Sequence, residues 1–146
     1  MKHLKLFEGF HAGDLKNSIE SSIQNPEMSM PIALVGDPKF PKTSMIGKIA
    51  SENNLTMIFI DCEIASRKGS ESIISSLPQD NGYNDRGGVI VFDNVDMASS
   101  SVEMFVYKLA TQRNSEGYSL PNKWIVILND HHGSSSFDGR FTVINV

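Results

Sequence analysis

A single cysteine, Cys62, in 146 residues excludes an internal disulfide and any cysteine-rich zinc site. Long apolar runs are missing too. None approaches the roughly 18 residues that span a bilayer, and Met1 to Phe10 lacks the apolar core of a signal peptide. Nor is there a basic excess: 13 Lys and Arg against 17 Asp and Glu leave a net charge of −4, so no global field recruits nucleic acid or an anionic membrane. Internal repeats and low-complexity tails are absent. With 40% hydrophobic and 21% charged residues, the composition is that of a soluble globular protein, expected in the cytoplasm. Residues 1–146 are expected to form one domain, with 1–12 (Leu4, Leu6, Phe7, Phe10) as an N-terminal packing arm.

The most informative stretch is Ile32 to Ala50, IALVGDPKFPKTSMIGKIA. An apolar run, Ile32 to Val35, breaks at Gly36. Lys42-Thr43 follows, then a helical face of Met45, Ile46, Ile49 and Ala50. Strand, loop, Lys-Thr and helix are the context of a phosphate-binding P-loop, G-x-x-x-x-G-K-[ST]. Gly36-Asp37-Pro38-Lys39-Phe40-Pro41-Lys42-Thr43 fits at every fixed position except the second glycine, which is Pro41.

Around it, apolar runs alternate with helical periods. Asp14 is an expected N-cap for a helix with the face Leu15, Ile19 and Ile23, ended by Asn25-Pro26. Met57 to Ile60 closes on Asp61, Val89 to Phe92 on Asp93, and Trp124 to Leu128 on Asn129; Phe141 to Val146 is a fifth strand. Ser66 to Asp80 predicts one helix, Asn81 to Gly88 a loop, and Val102, Phe105, Val106 and Leu109 a further helix. Gly117 to Asn122 is a turn. This alternation indicates an α/β fold with a mainly parallel sheet. Ligands of such sheets bind beyond the carboxyl ends of the strands, where Gly36, Asp61, Asp93 and Asn129 fall. VIVFD also has the form of a Walker B strand, whose Asp holds Mg²⁺. His131-His132 predicts no metal site, because adjacent side chains in a strand diverge and no further His/Cys cluster exists. Cys62 is expected to be a small buried residue and Trp124 a core anchor.

In this order the motifs resemble the core of an AAA+ ATPase, and within that superfamily the MoxR-related branch. The resemblance runs from about Asp14 to Val146. It rests on GDPKFPKT, VIVFDNVD, SLPNKWIVILND and the GRF that contains Arg140. It implies a three-layer P-loop NTPase fold with a five-stranded sheet, whose central strands end at Gly36, Asp93 and Asn129. Gly36, Pro41, Lys42, Thr43 and Ser44 would line ATP or ADP, Lys42 meeting the β- and γ-phosphates. Thr43 and Asp93 would hold Mg²⁺, Asn129 would position the attacking water, and Arg140 would reach a neighbouring subunit's nucleotide.

The chain departs from the family where the chemistry is done. The glutamate that follows the Walker B aspartate is replaced by Asn94, which cannot take a proton from water at neutral pH. Pro41 has no N–H to give to a cradle built of backbone donors. One such charge-assisted bond is worth roughly 1.5–3 kcal/mol. Lys39 and Phe40 replace small flexible residues, and the helical lid that follows the core in the family is expected to be missing. The expectation is a degenerate nucleotide-binding module with weak or no hydrolysis, acting through a protein partner or a homo-oligomer. The alternative is a slow Mg²⁺-dependent ATPase that needs oligomerisation or a lid supplied by a partner.

Overall fold

A computed structural model describes residues 14–26, 29–36, 42–79, 87–132 and 139–145. The expected N-terminal arm, positions 37–41 with Lys39, Phe40 and Pro41, and Asn81 to Arg86 of the expected Asn81 to Gly88 loop lie outside these residues, while Gly88 already belongs to β3. In chain order the elements are helix α1 (14–24), strand β1 (Ile32–Val35), helix α2 (Lys42–Glu52), strand β2 (Thr56–Asp61), helices α3 (Cys62–Ala65) and α4 (Ser70–Ser76), and strand β3 (Gly88–Asp93). A 3-10 turn (Val95–Met97), helix α5 (Ser100–Gln112), the two-residue strands β4 (Asn114–Ser115) and β5 (Tyr118–Ser119), and strands β6 (Trp124–Asp130) and β7 (Thr142–Asn145) follow.

The apolar runs became strands because they are short, rich in β-branched residues and bounded by turn formers. They pair in the order β2-β3-β6-β1-β7, and every pairing is parallel. The three central strands are those that lead to Asp93, Asn129 and Gly36, as expected. Alternation along the strands divides the core in two. Ala33, Ile60, Ile90, Phe92, Val126 and Leu128 pack with Cys62, Ile73, Phe105 and Leu109 of α3, α4 and α5. Ile32, Leu34, Val89, Val91, Ile125 and Ile127 pack with Leu15 and Ile19 of α1 and Ile46 and Ile49 of α2. Helices therefore cover both faces of the sheet. Among the described residues no helix is long and apolar enough to cross a membrane.

Four local expectations are corrected. Asp14 is already helical, so it does not cap α1. The helix expected over Ser66 to Asp80 is confined to α4, Ser70–Ser76, which starts after Gly69 with its φ of 90°, while α3 lies wholly before the stretch. The Gly117 to Asn122 turn belongs to a hairpin: Glu116 and Gly117 have φ of 49° and 84°, the signs a type I′ turn requires, and Ser115 pairs with Tyr118. Finally, β6 continues through Asn129 to Asp130, because Leu34 and Val35 of β1 pair with them.

Arg113 fastens the amino edge of the sheet. It ends α5 in a left-handed conformation, φ 63°, and its guanidinium donates to the carbonyls of Pro26, Pro121, Asn122 and Trp124 at 2.8–3.3 Å. Close by, β3 starts against β2 and β6 with no room for a side chain. A Cβ on Gly88 would lie 2.3 Å from Thr56 O and 2.6 Å from Trp124 Cζ3. Trp124 is wholly buried and cannot yield without opening the core. Gly88→Ala should accordingly lower unfolding stability by about 2–3 kcal/mol in urea titration; a change within error would mean that the β2-β3-β6 packing is misplaced.

Candidate functional site

Parallel pairing brings the strand ends into one line. Asp61 is in register with Asp93. Phe92 is in register with Leu128, so Asp93 falls beside Asn129, which in turn pairs with Leu34. Alternation then decides which way these side chains face. Val89, Val91, Ile125 and Ile127 face α1 and α2, as does Met57, which packs against the same cluster. Asp61, Asp93 and Asn129 lie two or four residues further along their strands and share that face. The result is a transverse row, Asp61–Asp93–Asn129, at the carboxyl edge on the side that carries α2.

α2 begins at Lys42, six residues on from Gly36 at the end of β1. Gly36 has φ 152°, in the range that favours glycine, and its N–H extends the ladder to Asp130 O at 3.1 Å. The first turn of α2 contains no acidic residue, so nothing in it neutralises the positive end of the helix dipole. Thr43 is half-buried and Ser44 exposed.

Within the row Asn129 is the most constrained member, with 1% of its surface exposed. Its Nδ2 donates to Asp93 Oδ1 at 3.2 Å, while its Oδ1 is buried without a protein hydrogen bond. Such an acceptor costs about 1–3 kcal/mol unless water or a ligand supplies a donor. Asp93 is half-buried. One carboxylate on the sheet face that carries α2 suits Mg²⁺, which keeps most of its waters and takes its other ligands from phosphates. These residues therefore fit a magnesium–nucleotide pair. Among the described residues no group of three His, Cys, Asp or Glu side chains is arranged to hold a metal by itself.

Two features of this edge are not evident from sequence. Asp61 is more than a turn residue: its Oδ1 accepts from Glu63 N at 3.0 Å and Ile64 N at 3.3 Å, capping α3, and from Asn94 Nδ2 at 3.2 Å. Asp96 engages both histidines of the His131-His132 pair, with Oδ2 3.4 Å from His131 Nδ1 and 3.7 Å from His132 Nε2. Only the Asp that precedes the short helix Cys62–Ala65 carried a signal, that of an N-cap; the meeting of Asp96 with β6 needs the sheet order.

Arg140 lies apart. It precedes β7, whose first residue Thr142 pairs with Ile32, the first of β1, and donates its N–H to Pro31 O. Arg140 therefore enters at the amino edge, while Gly36 leaves at the carboxyl edge, about 13 Å away along a four-residue strand. It is exposed beside α5, near Glu103, Met104, Tyr107 and Lys108. The row and Arg140 are not brought together within one chain.

No protein-family model matches the sequence, and no curated protein does. Solved structures do match. RuvB from Thermotoga maritima, described as a Holliday-junction branch-migration motor, superimposes with a TM-score of 0.67 at 17% identity, over 94% of this chain and 44% of that one. Two variants of RuvB give TM-scores of 0.68 and 0.65 at 17% identity, over 94% and 92% of this chain and 45% and 43% of theirs. This is the AAA+ P-loop NTPase fold. At that identity the likeness is one of fold, and the chain spans less than half the length of the structures it matches.

Cys62 is fully buried beneath the row. Burial, and then the nearby Asp61 and Asp93 carboxylates, push its thiol from 9.0 up to about 12, which removes it as a nucleophile near neutrality. Burial likewise pushes Tyr118 from 10.0 up to about 12; its hydroxyl donates to Pro78 O. Both groups favour the protonated form when folded. Their stabilisation is complete below their unfolded values and is lost as pH rises toward 12. Unfolding stability should therefore fall above about pH 9 through Cys62, by up to about 1.4 kcal/mol per pH unit, and further above about pH 10 through Tyr118. Cys62→Ala should make this alkaline loss shallower in denaturant titrations; an unchanged slope would contradict the burial of the thiol.

Proposed function

We propose that this chain is a degenerate AAA+ module that binds ATP or ADP weakly through Gly36, Pro41, Lys42, Thr43 and Ser44, hydrolyses it slowly or not at all, and acts by docking on a protein partner or on another copy of itself. The observation that carries this reading is the split at β3. Asp93 keeps its partner Asn129, while the next residue, where a base is needed, is an asparagine bonded to Asp61. In this reading the chain keeps residues suited to binding and carries no proton acceptor at position 94. Within the AAA+ class we assign the chain to the MoxR-related branch, on VIVFDNVD, SLPNKWIVILND and GRF. Its setting is the cytoplasm.

In this reading Lys42 meets the β- and γ-phosphates, aided by the positive end of α2. Thr43 and Asp93 hold Mg²⁺, which when bound neutralises phosphate charge. Asn129 keeps Asp93 oriented and offers its unpaired Oδ1 to a water. Arg140, at the opposite edge of the sheet, serves a neighbouring molecule rather than its own site. The intact Asp93–Asn129 contact also supports a second reading, a slow Mg²⁺-dependent ATPase completed by oligomerisation. Asn94→Glu separates the two. Brisk hydrolysis by the isolated variant would favour the ATPase, and little activity favours the module.

Calorimetric titration with ATP or ADP, with and without Mg²⁺, should give a Kd of about tens of micromolar or weaker, a micromolar site less the bond lost at Pro41. Pro41→Gly should tighten binding by about tenfold or more, and Lys42→Ala should abolish it. Nanomolar affinity in the parent chain would refute the degenerate reading, and no binding at all would refute the nucleotide reading. Arg140→Ala should weaken association, measured by light scattering, without lowering the melting temperature. Unchanged association would leave Arg140 an ordinary surface residue.

A further inference from the structure

The two outer strands of the sheet, β2 and β7, have no neighbour on one side among the described residues. On β7 the backbone groups of that side can be assigned. Thr142 donates its N–H to Pro31 O, so Thr142 and Ile144 turn their backbone groups toward β1, and Val143 and Asn145 turn theirs outward. The strand reads Thr-Val-Ile-Asn. It has neither proline nor charge, the devices that keep an edge from recruiting another strand. Val143 is 39% exposed on the face opposite Ile144, which packs in the cluster of Leu15 and Ile19 of α1. On the α1 side an open groove of about 570 Å³ lies between Asn17, Ser18 and Ser21 of that helix and Met30 and Thr142.

The chain that precedes α1 is placed to reach this edge. Ser22 and Pro26 lie with Pro31, Ile32 and Arg113 at the amino edge, so α1 starts at the carboxyl edge, where a preceding parallel strand would end. Residues 1–13, outside the described ones, contain one run that alternates as a strand does: Leu4 and Leu6 against His3, Lys5 and Phe7. Residues 9–13, with Gly9 and Gly13 at their ends, are long enough to turn from strand into helix. Handedness then chooses between the two outer strands. β1 passes through α2 to β2, crossing the sheet toward its β2 side over the face that carries α1 and α2. β3 passes through α5 to β6, moving the other way over the opposite face. Both crossovers therefore have one hand, which in parallel sheets is almost always the right hand. A strand that leads through α1 into β1 keeps this hand only beyond β7; beyond β2 its crossover would be left-handed.

We propose that the outer edge of β7 is a strand-acceptor surface and that its occupant is this chain's own arm: residues 4–8 add to β7 as a sixth, parallel strand. Leu4 and Leu6 then lie on the α1 side of the sheet, and Phe7 on the side of Val143. Val143 and Asn145 give their outward N–H groups to the arm. The edge that follows Arg140 is thereby closed to strands of other molecules. None of this depends on nucleotide binding.

Amide hydrogen exchange followed by NMR tests the proposal on the full chain, at a low and a high protein concentration. The parent is compared with the double variant Leu6→Pro/Phe7→Pro. Consecutive residues of a strand point their N–H groups to opposite sides, so two adjacent prolines remove a donor to β7 whatever the register. Thr142 and Ile144, bonded to β1, report folding and should stay protected in both proteins. The amides of Val143 and Asn145 should exchange about a hundredfold or more slower in the parent than in the variant, equally at both concentrations. Equal exchange in the two proteins would overturn the proposal. Slowing that grows with concentration would also overturn it, by assigning the edge to a second copy. If the variant loses protection at Thr142 and Ile144 and so fails to fold, nuclear Overhauser contacts in the dilute parent decide. Contacts between residues 4–8 and Val143 to Asn145 would support the sixth strand, and their absence would overturn it.

Discussion

Parallel pairing of five strands is the constraint on which everything else depends. Each strand must be re-entered from the same end, so the intervening chain crosses back over one face or the other, and helices cover both. All strand-end side chains leave at one edge. Asp61, Asp93 and Asn129 are far apart in sequence, yet register and alternation give them one line and one facing. Strand alternation has a period of two, so a one-residue slip of β3 against β6 would turn Asp93 to the other face and break its bond with Asn129.

The chemistry of the edge follows from how its charges are satisfied. Two neighbouring carboxylates would repel if nothing separated them. Here each has an amide: Asn94 donates to Asp61, and Asn129 donates to Asp93. On the same face of the sheet α2 begins with no acidic residue in its first turn, which favours an anion with a counter-cation over another side chain. The same arrangement explains what is missing. In the proposed reading, the Asn94–Asp61 pair stands where a free carboxylate would be needed to take a proton from water. On that reading binding and catalysis are separable, and the proposed module retains only the former.

Much of this was legible in the sequence because the signals were local. IALV-G-x-x-x-x-x-K-T, VIVFD and WIVILN each carry a strand and its polar terminus in one short run, and helical periodicity in Val102, Phe105, Val106 and Leu109 is unambiguous. That the strands leading to Gly36, Asp93 and Asn129 are the central three came through resemblance rather than through periodicity, and the sheet bears it out. Features set by long-range register were not legible. Asp61 reads as a turn residue until β2 is known to lie against β3; then it meets Asn94. Asp96 and His131 are unrelated until the turn after β3 is placed against the end of β6. The hairpin at Ser115 and Tyr118 has strands too short to show alternation, and its turn residues include Glu116, which composition would not nominate for positive φ.

The central claim is that phosphate and metal gather at the Asp61–Asp93–Asn129 edge and not at the edge of Arg140. Backbone amide NMR with Mn²⁺–ATP in place of the magnesium complex tests it most directly, because a paramagnetic ion broadens only nearby signals. The account predicts loss of the amide signals of Thr43, Asp93 and Asn129 while those of Phe141 and Thr142 remain sharp. Broadening centred on Phe141, or none at saturating nucleotide, would contradict it.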